Sequence, residues 1–518
     1  MDDLNQYFLN TDNADEVSSH MQKIIAEILT FKTRKKVGKN YDASYFLKKY
    51  VSELPTLGAS LEDITTIVRE LLVESANFSS PMFMGFPDSG NSIAGLLGGI
   101  VEATCQQNLL NSEFCSRSAT FIEVCTIKWL RQLIGYRNDA NITSVRELGG
   151  VATTGGTCSN MYGLIMARNN LYPDAYRYGI PKNAKPKIFI SSDITHYSVA
   201  GAINLIGLGI ENVVKIPTKN YAMDLSALQQ VLVKSKNSGE DLVCVVLNAG
   251  DSRTLTIDHI EKAIEIIRLI DPKCWVHIDG CHGGQLLFSE KYRNRILGVE
   301  KADSISLDPH KVFNLPYILS YFIFKDPEKS EGFWTSSSLI MRDAWSLGQL
   351  TPNIGSKSWA SIKLYLLVKH LGKKKLGKII DDRIDLANSF KRLITENSNF
   401  LIIKSSIDIN SVMFVYVGKC KNWQSDSKYI FELNTLLYQK IITDGVIYLH
   451  GFQIKDDCNT LRQGVENQLF VLRYMGGNPH TSEIHLREAI HYLEAAGESI
   501  QCTITSTILD SGVENEFS

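Results

Sequence analysis

Residues 275–311 read WVHIDGCHGGQLLFSEKYRNRILGVEKADSISLDPHK, in which two short apolar runs, WVHID at 275–279 and SISLD at 304–308, each end on an acidic residue. Runs of about five residues, β-branched and bounded by turn formers, read as strands. The same rhythm recurs upstream, where KIFISS near 187–192, NVVKIP at 212–217 and LVCVVLN at 242–248 alternate with longer segments of helical spacing. Strands that are apolar throughout and alternate with helices predict an α/β protein with a mainly parallel central sheet and helices on both faces. One connecting helix is predicted in detail: Asp258 and Glu261 form a capping box, and Ile260, Ile264 and Ile267 line one face. Residues 360–395, rich in Leu, Lys and Ile at helical spacing, read as a long connector to a smaller C-terminal α+β domain.

A chain of 518 residues exceeds one small core and can bury a substantial site. Hydrophobic content of 44%, charged content of 21% and a net charge of -2 are ordinary for a folded soluble protein and give no reason to expect nucleic acid as a partner. The start, MDDLNQYFLNTD, lacks the basic and apolar regions of a secretory signal and the arginines of a transit peptide, so a cytoplasmic location is expected. The longest run of low polarity, Ser92 to Val101, is about half the roughly 20 residues of a membrane-spanning helix. Ten cysteines without a CxxC pair indicate neither a disulfide framework nor a zinc ribbon, and no metal site is expected.

Ligands of an open parallel sheet bind beyond the carboxyl ends of its strands. Four places there carry chemistry: His196 after KIFISS, the Gly250-Asp251-Ser252 turn after LVCVVLN, Asp279, and His310-Lys311 after SISLD. A lysine after a strand is ordinarily a solvated surface group. Lys311 stands instead in the apolar stretch SLDPHKVFNLPY, where desolvation would lower its pKa toward the range of a neutral, nucleophilic amine. That is the environment of a Schiff-base lysine. Asp279 either caps a loop or pairs with a protonated pyridine nitrogen, keeping that ring an electron sink. The turn at the start of TTGGTCSNMYGLIMAR places the Gly156 and Thr157 amides and the Thr157 hydroxyl where a phosphate could sit at a helix N-terminus, although many helices begin this way without a ligand. His196 is either a satisfied loop histidine or a ring stacked on a cofactor. Together the four meet four needs of one cofactor, pyridoxal 5'-phosphate (PLP).

The same residues resemble the group II PLP-dependent decarboxylases, the family of glutamate, aromatic-L-amino-acid and histidine decarboxylases. FMGFPDSGNS at 83–92 is similar to the family's substrate-side segment. WVHIDGCHGG, ADSISLDPHK and LRYMGGNPHT resemble three further blocks. The resemblance implies a PLP-dependent transferase-like fold of type I. It divides the chain into an N-terminal segment packing on a dimer partner (1–105), a large PLP-binding domain (106–370) and a small C-terminal domain (371–518). It implies that Lys311 carries PLP, Asp279 holds the pyridine nitrogen, His196 stacks on the ring, Ser252 supplies a hydroxyl near the cofactor, and Gly156, Thr157 and His310 serve the phosphate. Cys281 stands beneath the ring where the family has alanine. Arg473 sits where some members grip the substrate's α-carboxylate, and Phe86, Pro87 and Asp88 would reach toward the partner's site in a homodimer with shared active sites.

Three features depart from the family's pattern: no tyrosine occurs between Tyr321 and Tyr365, where the family's mobile loop presents a proton donor; Cys281 replaces alanine; and Asp88 and Asp251 are acidic where uncharged residues are common. Acidic groups near a pocket would disfavour an acidic substrate side chain and favour a cationic one. The reading that follows is a lyase of amino-acid metabolism that converts an L-amino acid to a primary amine and CO2. The alternatives are decarboxylation coupled to aldehyde formation, other PLP lyase chemistry, and a catalytically silent PLP-binding protein.

Overall fold

The computed structural model describes residues 4–38, 41–192, 194–419, 427–460 and 468–510. The apolar runs form a seven-stranded sheet. Its strands are β1 (Gly150–Thr153), β2 (Pro186–Ser191), β3 (Val213–Ile216), β4 (Asp241–Asn248), β5 (Trp275–Asp279), β6 (Ser304–Leu307) and β7 (Ser320–Phe324). Their spatial order is β1-β7-β6-β5-β4-β2-β3. The pairs β2–β3, β2–β4, β4–β5 and β5–β6 are parallel, whereas β7 runs antiparallel to both of its neighbours. Registers of Asn248 against Asp279 and of Asp279 against Ser306 bring the carboxyl ends of β4, β5 and β6 level. Strands β5, β6 and β7 are buried at every position, which is why they read as continuous apolar runs rather than as alternations.

The helices named below are α1 (Ala14–Lys32), α2 (Leu61–Glu74), α3 (Ile93–Cys105), α4 (Arg117–Ile134), α5 (Gly156–Leu171), α6 (Tyr197–Leu205), α7 (Ile260–Ile270) and α8 (Ser361–Thr395). A second sheet, in the order β8 (Phe400–Ile402), β9 (Ser411–Tyr416), β11 (Gln468–Met475), β10 (His450–Lys455), is antiparallel throughout and is joined by α9 (Ser427–Asp444) and α10 (Glu483–Asp510). Helix α8 is kinked at Gly372, whose φ of +67° is open to glycine without strain. It serves both cores: Leu364, Leu367, Leu376, Ile380 and Ile384 join the core of the large sheet, and Ala387, Phe390, Leu393 and Ile394 that of the small one. Among the described residues no helix is long and apolar enough to cross a membrane.

Helix α7 begins one residue later than its capping box predicts, with His259 at the N-cap and no side-chain cap. Asp258 instead accepts the amide hydrogens of Asn248 and Met223, both at 2.7 Å, and burial raises its pKa to about 6. Glu261 turns outward to Lys301 at 2.8 Å. The end of β4 has buried donors to satisfy, and they take the carboxylate in preference to the helix terminus.

The 83–88 segment also makes contacts within its own chain. Met84 N–H donates to Tyr448 O at 2.8 Å, Met475 N–H donates to Met84 O at 2.7 Å, and Phe83 stacks on Tyr448 at 4.9 Å.

Candidate active site

Strand β1 ends at Thr153, and the chain turns through Gly155 (φ +110°) straight into α5, so the first turn of that helix opens at the carboxyl edge of the sheet. A methyl group on Gly156 would overlap Cys281 Sγ and come within 2.9 Å of Asp308 Oδ2. The Thr157 side chain is exposed at the mouth. Cys281 lies opposite, buried, its thiol held neutral by a pKa that burial pushes well above its ordinary value.

Lys311 lies on a single helical turn, Pro309–Val312, immediately after β6. Its side chain keeps 32% of its surface open, and its Nζ lies 2.9 Å from Asp308 Oδ2. The expectation of a lowered lysine pKa is corrected here. Burial pulls the value down, but Asp308, with Cys281 and Asp279 behind it, more than offsets burial, and the ammonium ends above the usual lysine range. In turn Asp308, 2% exposed, is held below the carboxylate range, since Lys311 and His310 outweigh the effect of its burial.

Asp279, at the end of β5, accepts from Asn160 Nδ2 at 2.9 Å and from the Cys281 amide at 3.2 Å. Asn160 was not among the residues singled out. It sits on the second turn of α5, and its Oδ1 accepts from Ser306 Oγ at 2.6 Å and approaches His277 Nε2 at 3.1 Å, so it locks helix α5 to β5 and β6 behind the carboxylate. His196 caps α6: the Ser198 amide donates to its Nδ1 at 3.2 Å, which places the ring's proton on Nε2. Burial lowers its pKa and Lys311 lowers it further, against the pull of Asp279, so the ring is neutral. His310 donates from Nδ1 to Leu319 O at 2.6 Å, and its Nε2 lies 3.9 Å from Asp308.

Asp88 lies within reach of the charges of Lys311 and His310 of its own chain. Burial, the largest effect, raises its pKa, and its Oδ1 has no hydrogen-bond partner. Phe86 lies 4.8 Å from the His450 ring and 5.7 Å from the Arg473 guanidinium. Arg473 is 1% exposed, and its Nη atoms donate to the backbone oxygens of Ser252 (2.7 Å), Arg253 (2.9 Å) and Gly85 (3.1 Å). It thus clamps the β4 turn and the 85–88 segment to β11, with Nε left unpartnered. Ser252 is exposed at that turn. Asp251 points away from the crevice into its own turn, accepting from the amides of Arg253, Thr254 and Thr256 at 2.8 Å each. Only Asp88 of the two acidic departures therefore faces Lys311.

The region without a tyrosine is anchored by aromatics. Phe333 packs on Tyr162 at 5.1 Å and Trp334 lies over Arg146 at 4.5 Å, while Ser336, Ser338 and Leu339 are exposed.

A lysine, a carboxylate fixed from behind, a neutral imidazole and a glycine-lined helix N-terminus at the ends of parallel strands define the crevice of a fold type I PLP enzyme. The residues present fit that cofactor: Gly156 leaves the cradle without a Cβ, Asp279 could accept from a pyridinium, and Lys311 could supply the amine for the aldehyde. The pyridoxal-dependent decarboxylase conserved domain matches residues 45–417, and the chain belongs to that family. Its cofactor is PLP. The chain is 31% identical to the L-2,4-diaminobutyrate decarboxylase of Acinetobacter baumannii over 58% of its own length and 61% of that protein's. It is 24% identical to the phenylacetaldehyde synthase of Petunia hybrida over 86% of both chains. Mouse CSAD has the same fold, with a TM-score of 0.83 at 20% identity over 93% of this chain and 99% of that one.

Proposed function

We propose that the protein removes CO2 from the α-carbon of an L-amino acid and releases a primary amine. The observation that carries this reading is the grouping of Lys311, Asp308, Asp279 and His196 at the carboxyl ends of β5 and β6 and at the start of α6. Bound PLP supplies an electron sink for the pair freed at Cα when CO2 leaves. Asp279, fixed by Asn160 and the Cys281 amide, holds the pyridine nitrogen protonated. Its fixed geometry means that no reorganisation is needed as charge develops. His196, a neutral ring, would stack on the cofactor. The Gly156 amide, the Thr157 hydroxyl and His310 would hold the phosphate, Ser252 would lie near the cofactor, and Cys281 would pack beneath the ring. Lys311 would hold the cofactor through its amine, and Asp308, 2.9 Å from Nζ, would pair with the ammonium whenever the amine is free.

Phe86, Asp88 and Arg473 form the substrate side. A buried carboxyl at Asp88 disfavours an acidic substrate side chain and favours a cationic one, a class that includes diaminobutyrate. The functional unit is a homodimer with shared active sites, organised as the three segments 1–105, 106–370 and 371–518, and acts in the cytoplasm.

The absence of a tyrosine from residues 322–364 favours a second reading, in which the carbanion is oxidised and an aldehyde is formed. One experiment separates these. PLP-loaded protein is incubated with the twenty amino acids plus ornithine, diaminobutyrate and DOPA, and CO2, amine, aldehyde and peroxide are assayed together. Amine equal to CO2 with basic substrates supports the first reading. Preference for glutamate removes the role given to Asp88, aldehyde with ammonia and peroxide supports the second reading, and no product together with unaltered cofactor binding by Lys311→Ala leaves only a silent PLP-binding protein.

A further inference from the structure

We propose that Tyr317 delivers the proton to the substrate's α-carbon and that Asp88 positions and recharges it. The inference rests on the decarboxylase reading and adds the acid that this reading leaves unassigned. Loss of CO2 breaks the bond between Cα and the carboxyl carbon and leaves an electron pair that must take up one proton before an amine can leave. The donor has to face the crevice above Lys311.

The titratable groups facing that crevice are few. His310 has its Nδ1 proton held by Leu319 O at 2.6 Å. Asp308 is ion-paired with Lys311 at 2.9 Å, both oxygens of Asp279 are taken by Asn160 and the Cys281 amide, and Cys281 lies on the floor with Gly156 against it. Tyr317 differs from all of these. It stands six residues past Lys311, and its ring meets the His310 ring edge-on at 5.2 Å between centroids. Its phenol lies close enough to the Asp88 carboxyl, Lys311 and Asp308 to feel their charges, while 59% of the residue's surface stays open. Tyr317 forms part of the wall of a cavity of about 890 Å³, also lined by Leu96, Gly99, Ile100 and Lys357, so Tyr317 has a path to solvent. Backbone contacts fix the loop: Lys363 Nζ, itself buried, donates to the carbonyl oxygens of Tyr317 and Ile318 at 3.3 Å each.

In the transfer, the Tyr317 O–H bond breaks and a C–H bond forms at Cα from the pair that CO2 left behind. The phenolate oxygen then takes a proton from solvent by way of Asp88, whose carboxylate picks one up, passes it on and is left as it began. Burial suits both groups to this. It lifts the phenol above its ordinary pKa, so the phenol stays protonated until a strong base such as a carbanion is formed, and it raises the pKa of the Asp88 carboxyl, which eases the passage of a proton through it. Lys311 and His196 Nε2 are the rival donors.

Two measurements on Tyr317→Phe and Asp88→Asn test the assignment. In the first, PLP-loaded wild type and variants are given diaminobutyrate, ornithine, DOPA, tyrosine and glutamate as separate probes in air, and CO2 and amine are followed in a single turnover. The expected result for Tyr317→Phe is CO2 release close to wild type with amine formation slowed on the order of a hundredfold, the balance appearing as aldehyde, ammonia and peroxide with dioxygen as oxidant. Asp88→Asn shows the same change in smaller degree. An unchanged ratio of amine to CO2 in Tyr317→Phe overturns the proposal in favour of Lys311 or His196, and an equal fall in both products assigns Tyr317 a structural role only. In the second, apoprotein carrying ring-labelled tyrosine is titrated by NMR. The resonance missing from Tyr317→Phe is expected to titrate above an ordinary phenol and to move down in Asp88→Asn, and an unmoved midpoint overturns the pairing without reference to turnover. Absence of CO2 from the wild type with every probe overturns the decarboxylase reading itself, an outcome distinct from CO2 appearing with an unaltered product ratio.

Discussion

At the scale of single residues the ion pair between Lys311 and Asp308 governs when the lysine can act as a nucleophile. Asp308 holds the ammonium above the ordinary lysine pKa despite its burial, so the apoprotein stores a proton on the group that must become a free amine. Replacing Asp308 with Asn removes the strongest of the effects that raise it and leaves burial to lower it. The variant is expected to incorporate PLP faster near neutral pH, by about tenfold for each unit by which the amine's pKa falls, and its incorporation rate is expected to level off at a lower pH than that of the wild type. The growth of cofactor absorbance across a pH series measures both, and coincident profiles for the two proteins would refute this account of Lys311. The apolar letters around Lys311 made it legible as a special lysine. They gave the wrong sign for its pKa because the decisive neighbour, three residues earlier in the same turn, reads in sequence as an ordinary acidic residue ending a strand.

His277 carries a second prediction at this scale. It lies inside β5, fully buried, between Ser304 Oγ at 2.8 Å and Asn160 Oδ1 at 3.1 Å, and burial lowers its pKa to about 4. Between the unfolded value near 6.5 and that folded value the unfolded chain binds a proton that the native protein refuses. The stability that the neutral ring contributes is therefore full above pH 6.5 and is lost as pH falls toward 4, by about 1.4 kcal/mol per pH unit. In His277→Gln this contribution is absent, so the gap between the urea midpoints of wild type and variant is expected to narrow on acidification through that window. A gap independent of pH sinks the assignment.

Among the elements, β1 and the segment leading into α8 are held together by charges inside the large domain. Lys357 Nζ lies 3.0 Å from Glu123 Oε1 on α4 and donates to Ala152 O at 2.7 Å, while the Ala152 amide donates to the same Glu123 oxygen at 3.1 Å. The Lys357 and Glu123 side chains are 6% and 0% exposed, so Lys357→Met leaves a carboxylate buried without a counter-ion, at a cost of about 3–5 kcal/mol. Glu123→Gln in the same chain is expected to recover much of this loss, because an amide needs no counter-charge and still accepts from Ala152. Chemical denaturation of the wild type and both variants measures it; equal stability of the single and double variants would show that the charge is not the cause. Neither residue stood out in the sequence, because the two lie 234 positions apart and nothing local marks them as partners. Five of the seven strands of the large sheet, by contrast, were legible to within a residue or two, since burial on both faces writes itself as an unbroken apolar run, whereas β1 and β7 were not singled out. The same limit explains Asn160, whose partners lie on three other elements, and Asp258, whose three-residue spacing from Glu261 imitated a cap while its actual partners were amides at the end of β4 and in a distant turn. The site residues that sequence could find were those standing directly after strands. Those acting across elements required the fold.

For the whole molecule, the face that remains open in a single chain bears on assembly. Ile93, Leu97 and Ile100 of α3 follow the spacing of one helical stripe and are 73%, 57% and 40% exposed, while Gly95 and Gly98 on the opposite side leave no room for a Cβ against Leu315 and Lys363. Helix α3 is thus held by its glycine side and presents its apolar side outward. That stripe borders the cavity walled by Tyr317 and Lys357, so a second copy on α3 would also lie along the rim of that cavity. In a twofold-symmetric pair each substitution is made twice and each apolar side chain buried contributes about 1.5–3 kcal/mol. Ile93→Asp with Leu97→Asp therefore removes enough to dissociate such a pair without touching the core behind α3. The wild type is expected to sediment at twice the 58.0 kDa of one chain and the double variant at that mass, with unchanged far-ultraviolet circular dichroism and weakened PLP binding. A double variant that stays dimeric would move the interface elsewhere, and one that becomes monomeric yet binds PLP as tightly as the wild type would show that each crevice is complete within its own chain.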